Sequence, residues 1–359
     1  MRLSVTYHVR ADAADIAARA KGIAVEQSVE MPLEAIDEPS VLRDIVGSVE
    51  DIADLGHGRF AVRIGLALAT IGDDPGQLLN MLFGNTSLQE DVVLADVDLP
   101  EALIASFARP RHRIEDLRRI VAVGQRALTA SALKPQGLPP ERLGQLAERL
   151  TLGGLDFIKD DHGLADQDYS RFAMRVTQCA AAIARAARRT GHPTQYIPSL
   201  TGDLDQLRSR AALARDAGLA CVMVAPMVSG VSAVRTLARA YPDLAIFAHP
   251  SMGGLRIAPD LLIGKLFPLF GADAVIFPSH GGRFGYSPET CLRLATNARR
   301  FGALPVPAGG MTLQRTPEIL DFYGPDTMLL IGGNLLLARE RIPREAAAFT
   351  AAVAAHRYA

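Results

Sequence analysis

The chain has 359 residues, 49% of them apolar and 21% charged, enough to bury one large barrel or two domains and too apolar for wholesale disorder. Thirty-eight basic against 39 acidic residues leave a formal charge of -1, which removes the electrostatic case for a dedicated nucleic-acid binder. Three separated cysteines (Cys179, Cys221, Cys291) without a CxxC pair, no basic-then-apolar leader and no apolar run of membrane-spanning length point to a reducing, cytoplasmic setting with no membrane partner.

RLSVTYHV (2–9) alternates like a strand, and DAADIAARAKGIAVE (12–26) reads as a helix running into a second strand. RFAVRIGLAL (59–68) and VVLADVDLP (92–100) read as strands, with helical PGQLLNMLFG (75–84) between them. Residues 101–121 bridge this stretch to the remainder of the chain. Residues 1–112 are expected to form a small α+β domain.

From residue 128 the pattern changes. Eight short apolar runs each end in a polar, Gly or Pro cluster: 128–135, 155–161, 194–201, 221–227, 244–250, 274–280, 304–310 and 328–334. The segments between them carry helical periodicity. In 171–191, Phe172, Val176, Ala180 and Ile183 recur every three or four residues, and Gly191 stands where a helix would end; 204–218 behaves alike. Near-continuous apolar strands alternating with helices predict a parallel sheet covered on both faces. Eight units predict a (β/α)8 barrel over 113–359, closed by a C-terminal helix.

In such a barrel the chemistry sits beyond the C-terminal ends of the strands. Read in order, those ends carry Lys134; Lys159, Asp160, Asp161 and His162; His249; His280 and Arg283; Gly309 and Gly310; and Gly332, Gly333 and Asn334. Alternation along a strand puts Lys159 and Asp161 on one side. Asp160 is expected to hydrogen-bond nearby backbone or a loop. The Gly pairs after the seventh and eighth strands lie where barrels hold phosphate, since bare N–H groups approach an anion closely. One carboxylate and one imidazole make a poor site for a hard cation unless another anionic oxygen joins them.

GGLDFIKDDH (153–162) resembles the G-G-x-D-F-x-K-D-D-E motif of the RuBisCO superfamily. LKPQG, HPSMGG, PVPAGG and LLIGGN resemble its segments at strands one, five, seven and eight, and VEQSVEMP (25–32) resembles the segment that gives an acidic residue to a partner subunit's site. The resemblance implies Mg2+ held by a CO2-derived carbamate on Lys159 with Asp161 and His162, and Lys134 as proton-abstracting base. It also implies His249 as a proton shuttle or hydroxyl ligand, and a homodimer to which Glu26 contributes. By resemblance Gly309, Gly310, Gly332, Gly333 and Asn334 would bind the substrate's phosphate; His280 and Arg283, from their place at the end of the sixth strand, are further candidates for binding substrate. Either Asn80 or Asn85 would match the family's substrate-orienting Asn.

The departures matter as much. His162 stands in place of Glu, Gln136 in place of the second lysine of K-P-K, and Pro250 in place of an arginine. The loop after the sixth strand, SHGGRFGYSPE, has no lysine. The chain therefore resembles the RuBisCO-like (form IV) group rather than a carboxylase. This implies a Mg-dependent enzyme that forms an enediolate from a phosphorylated keto-sugar, as an isomerase or enolase acting on a compound such as methylthioribulose 1-phosphate. The alternatives are a decarboxylase, transcarboxylase or hydrolase acting on an oxo-acid, 3-oxo-isoapionate 4-phosphate; an unrelated barrel with a Schiff-base lysine at 159; and a non-catalytic barrel.

Overall fold

The computed structural model describes residues 1–254 and 256–358. The chain divides into two compact units, Met1–Phe107 with Gly253–Leu262, and Ala108–Met252 with Ile263–Ala359. The sequence boundary at 112/113 is a single cut; the contacts instead assign a later excursion of the chain, Gly253–Leu262, to the first unit.

In the first unit, β1 (Arg2–Arg10), β2 (Ser48–Gly56), β3 (Arg59–Ala67) and β4 (Val92–Asp98) form an antiparallel sheet in the order β2-β3-β1-β4. Alternation in β1 buries Leu3, Val5, Tyr7 and Val9, and β3 answers with Phe60, Val62, Ile64 and Leu66. Helix α1 spans Ile16–Glu26 and α2 spans Pro75–Phe83. No strand follows directly on α1, contrary to the reading of 12–26. The second strand of the sheet is β2, and its residues are almost all exposed, so no apolar alternation announced it. The excursion pairs with β4: the Leu94 N–H donates to the Arg256 carbonyl at 2.9 Å and the Ala258 N–H to the Leu94 carbonyl at 2.9 Å.

The second unit is the expected barrel. Its strands are β5 (Leu128–Leu133), β6 (Phe157–Asp160), β7 (Gln195–Ile197), β8 (Ser199–Leu200), β9 (Cys221–Val224), β10 (Ala245–Ala248), β11 (Ala274–Pro278), β12 (Leu304–Ala308) and β13 (Met328–Ile331). The order β7-β6-β5-β13-β12-β11-β10-β9-β8 is parallel throughout. β7 and β8 are two pieces of one strand parted by Pro198, which has no N–H to give a ladder. The Pro198 carbonyl accepts from Met223 N–H at 2.9 Å, and the ring of strands closes there.

Helices cover the outside. In α3 (Phe172–Thr190) the buried face is Phe172, Val176, Cys179, Ile183 and Ala186; Cys179, rather than the Ala180 read from the sequence, carries the third position. Gly191 ends it at φ 73°, a left-handed conformation glycine adopts without steric cost. Helix α4 (Leu204–Asp216) starts at a reciprocal Asp203–Gln206 capping box, and α5 (Pro288–Arg300) at Ser287, which accepts from Thr290 N–H. Helices α6 (Thr316–Tyr323) and α7 (Ile342–Ala355) come after β12 and β13. Among the described residues no helix is long and apolar enough to cross a membrane.

The barrel interior is filled by Leu128, Ala130, Phe157, Ile197, Cys221, Met223, Ala245, Phe247, Ala274, Ile276, Leu304, Val306, Met328 and Leu330, with Leu117 and Val121 packed against them. These positions fix the inward parity of each strand. Two or four residues further on, the same parity selects Lys159 and Asp161 from Phe157, His249 from Phe247, and Lys134 from Ala130 by way of Ala132, which pairs with Lys159.

Candidate active site

Lys134, Lys159, Asp161, His162 and His249 converge at the C-terminal mouth of the barrel. Lys134 Nζ lies 2.5 Å from Asp161 Oδ1, and His162 Nδ1 lies 3.5 Å from the same oxygen. Gln136 Nε2 donates to Asp161 Oδ2 at 3.3 Å. Burial by itself would raise the Asp161 pKa, but the hydrogen bonds from His162 and Lys134 outweigh it and hold this carboxyl far below the usual carboxylate range. The His162 and His249 rings stack with centroids 4.4 Å apart and planes 9° from parallel. His249 Nδ1 lies 2.8 Å from Ser251 Oγ. Burial, then the neighbouring charges of Lys159 and His162, push His249 down to about 2, so its imidazole is neutral.

Lys159 is 4% exposed, and its Nζ donates to the Asp160 carbonyl at 2.7 Å. Burial lowers its pKa to about 8, opposed by the attraction of Asp161 and assisted by the charge of Lys134. A lysine so placed is partly neutral near neutral pH, and a neutral amine is the form that captures CO2. Asp160, of opposite parity, points away into a buried network. It accepts from Arg175 Nε at 3.0 Å, Tyr196 Oη at 2.6 Å and Ser199 N–H at 3.0 Å. Arg175, fully buried, also donates to the Ala165 and Ser170 carbonyls at 2.8 Å each, which ties down the loop beyond Asp161 and His162.

A second group forms where the loops after β11 and β12 meet. Gly281, Gly309 and Gly310 have φ of 70°, 81° and 65°. A Cβ on Gly310 would lie 2.8 Å from Gly282 Cα, so the two backbones touch and only glycine fits. His280 is buried with its ring centroid 4.5 Å from that of Phe322, and its Nε2 has no hydrogen-bond partner. Arg283 is exposed, its guanidinium 4.9 Å from the Phe284 ring centroid. Around Gly332 and Gly333 a Cβ would meet nothing within 4 Å, so these two glycines border open space; Asn334 beside them is exposed.

Glu26 lies in the first unit. Asn85 Nδ2 donates to Glu26 Oε1 at 2.9 Å and to Glu30 Oε1 at 2.8 Å, whereas Asn80 Nδ2 reaches Gln77 Oε1 at 3.5 Å. Of the two asparagines, Asn85 is therefore the one that joins Glu26. Sequence reasoning missed Arg175, Tyr196 and Arg315. A signal existed for the first, an arginine inside the apolar face of α3; none existed for the other two.

The family model of the ribulose bisphosphate carboxylase large chain catalytic domain matches residues 113–257. The chain is 58% identical over 98% of its length, and 96% of the relative's, to a protein of Rhodospirillum rubrum named 5-methylthioribulose-1-phosphate isomerase. The chain belongs to the RuBisCO-like family. It is 54% identical to ribulose bisphosphate carboxylase-like protein 1 of Rhodopseudomonas palustris, over 99% of this chain and 98% of that one. A crystal structure of a RuBisCO-like protein from Rhodopseudomonas palustris superposes with a TM-score of 0.93 at 48% identity, covering 99% of both chains. A RuBisCO-like barrel with a small α+β domain is thus what the motif order led one to expect, and the form IV resemblance holds along the whole chain.

Among the described residues no cluster of three His, Cys, Asp or Glu side chains could hold a metal. One carboxylate, Asp161, with His162 beside it, is a thin donor set for Mg2+. A carbamate on Lys159 would add an anionic oxygen on the same side of the strand, and with it the residues fit the ion.

Proposed function

We propose that this chain isomerises a methylthio-substituted ketose 1-phosphate and does not carboxylate ribulose bisphosphate. The observation that carries the reading is the cluster of Lys134, Lys159, Asp161, His162 and His249, in a chain so similar to an isomerase of that substrate class. Lys159 as a carbamate, Asp161 and His162 would hold Mg2+, which supplies Lewis-acid stabilisation of negative charge developing on the substrate's oxygens.

The chain's own groups move the protons. Lys134 Nζ is the base that removes the proton from the carbon beside the ketone, and its ammonium form returns a proton to the neighbouring carbon. Its 2.5 Å contact with Asp161 ties up the amine, so Asp161 must accept another cationic partner before Lys134 is free to act. The neutral His249, with Nδ1 set by Ser251 Oγ, offers Nε2 to a substrate hydroxyl and can pass its proton on. The backbone amides of Gly309, Gly310, Gly332 and Gly333 hold the phosphate, and His280, Arg283 and Asn334 border it. The absence of a lysine from SHGGRFGYSPE leaves no ammonium there to hold an added carboxylate. The resemblance further supports a homodimer in which Glu26 serves the neighbouring copy's site. The three buried, unpaired thiols suit the reducing cytoplasm.

The test is incubation of 5-methylthioribulose 1-phosphate in D2O with Mg2+ and bicarbonate, monitored by NMR. Deuterium incorporation with formation of an isomeric product, lost in Lys134→Ala and Lys159→Ala, is expected. A substrate that stays unlabelled and unchanged defeats the reading. Borohydride trapping of substrate on Lys159 would instead establish Schiff-base chemistry.

A further inference from the structure

The loops after β11 and β12 contain five glycines, Gly281, Gly282, Gly285, Gly309 and Gly310, four of them with positive φ. Such a stretch has little preference for one backbone arrangement and loses much entropy when fixed. Something must hold it. Arg315, at the start of α6, reaches across both loops. Its Nη1 donates to the Gly310 carbonyl at 3.1 Å and to the His280 carbonyl at 3.3 Å. Its Nη2 donates to the same His280 carbonyl at 3.3 Å and to Glu318 Oε1 at 2.9 Å, and its Nε donates to Glu318 Oε2 at 3.1 Å. A guanidinium has five N–H groups, and these five bonds account for all of them. None is left for a phosphate.

Glu318 fixes the plane of the fork by its bidentate grip, one turn along α6. Gly281 makes room for it: a Cβ there would lie 3.0 Å from both Arg315 Nη1 and Nη2. The loops are thus fastened twice, by the backbone contact of Gly282 with Gly310 and by a planar cation bridging two carbonyls.

We propose that Arg315, aligned by Glu318, is a positioning residue that locks the loop after β12 against the loop after β11, in the arrangement that presents the Gly309 and Gly310 amides to the substrate's phosphate. The proposal rests on the reading that Gly309 and Gly310 take the phosphate. Arg315 itself touches no substrate. A lysine cannot replace it, because a point charge on a flexible stem cannot bridge two carbonyls while held by a carboxylate.

The experiment compares the wild type with Arg315→Met and Arg315→Lys. It measures the substrate KM and kcat, the inhibition constant of inorganic phosphate, and Tm. In Arg315→Met, KM and the phosphate inhibition constant should rise on the order of tenfold or more, with a smaller change in kcat. Arg315→Lys should behave like Arg315→Met. A fall in Tm with both constants unchanged would reduce Arg315 to a structural residue and overturn the proposal, as would full rescue by lysine. If Arg315→Met does not fold, Arg315→Lys alone decides by the same constants. If phosphate fails to compete with substrate in the wild type, the phosphate reading of the loops falls, and this proposal with it. If phosphate competes equally in wild type and variants, only the role of Arg315 falls.

Discussion

Lys159 is a buried amine whose pKa stands near 8 against an ordinary value of 10.5, and this has a measurable price in stability. A base with a lowered folded-state pKa leaves the unfolded chain binding more protons between the two values, so stability rises with pH across that window. At pH 7 the ionised side chain costs the fold about 3 kcal/mol relative to a neutral one, and at pH 9.5 about 1 kcal/mol. Lys159→Met, close in shape and without charge, should therefore be more stable than wild type by about 3 kcal/mol at pH 7, with the gap shrinking to less than half by pH 9.5. Urea unfolding of both proteins at the two pH values, in buffer free of bicarbonate and divalent ions, reads the difference directly. A variant that is less stable than wild type at pH 7, or a gap that does not narrow with pH, would refute the reasoning. The same variant should be inactive, which would mark Lys159 as a group retained for chemistry against the interest of the fold.

The lowered pKa also predicts reactivity: at pH 7 about one-tenth of Lys159 is neutral, against roughly one part in three thousand for an ordinary lysine. A carbamate resonance should therefore appear with 13C-bicarbonate and Mg2+ at neutral pH and be missing in Lys159→Met. Asp160→Asn leaves the fully buried Arg175 guanidinium without its carboxylate and should cost about 3–5 kcal/mol in urea unfolding. Gly310→Ala meets both a positive φ and a 2.8 Å approach to Gly282, so it should lose at least about 1–2 kcal/mol of stability. Gly333→Ala, facing open space, should keep stability within about 0.5 kcal/mol while raising the substrate KM.

Much of the barrel was legible because its strands are buried on both faces and write that burial into the chain as apolar runs. That Lys159 and Asp161 share one side could be read from the sequence; the expectation that Asp160 bonds backbone or a loop is met by the Ser199 N–H, while its Arg175 and Tyr196 side-chain partners were not legible. Less was legible where residues act at a distance. Arg175 meets Asp160 fifteen positions away, and Arg315 meets His280 across 35, separations that carry no local pattern. β2 escaped because both of its faces are wet, so the physics that marks a strand in sequence has nothing to work on. The pairing of Lys134 with Asp161 joins two different strand ends, and only the register of β5 on β6 brings them together.

The Gly253–Leu262 excursion sets a limit on how this protein can be divided. Its backbone bonds to Leu94 mean that the small sheet is completed by chain that is made only after the fifth barrel strand. A gene fragment ending at residue 107 would encode an open β4 edge, and one starting at 108 would carry a detached ribbon without its mate. During synthesis the first hundred residues must wait for some 150 more before their last backbone hydrogen bonds can form, so the small unit cannot finish maturing ahead of the barrel in simple succession.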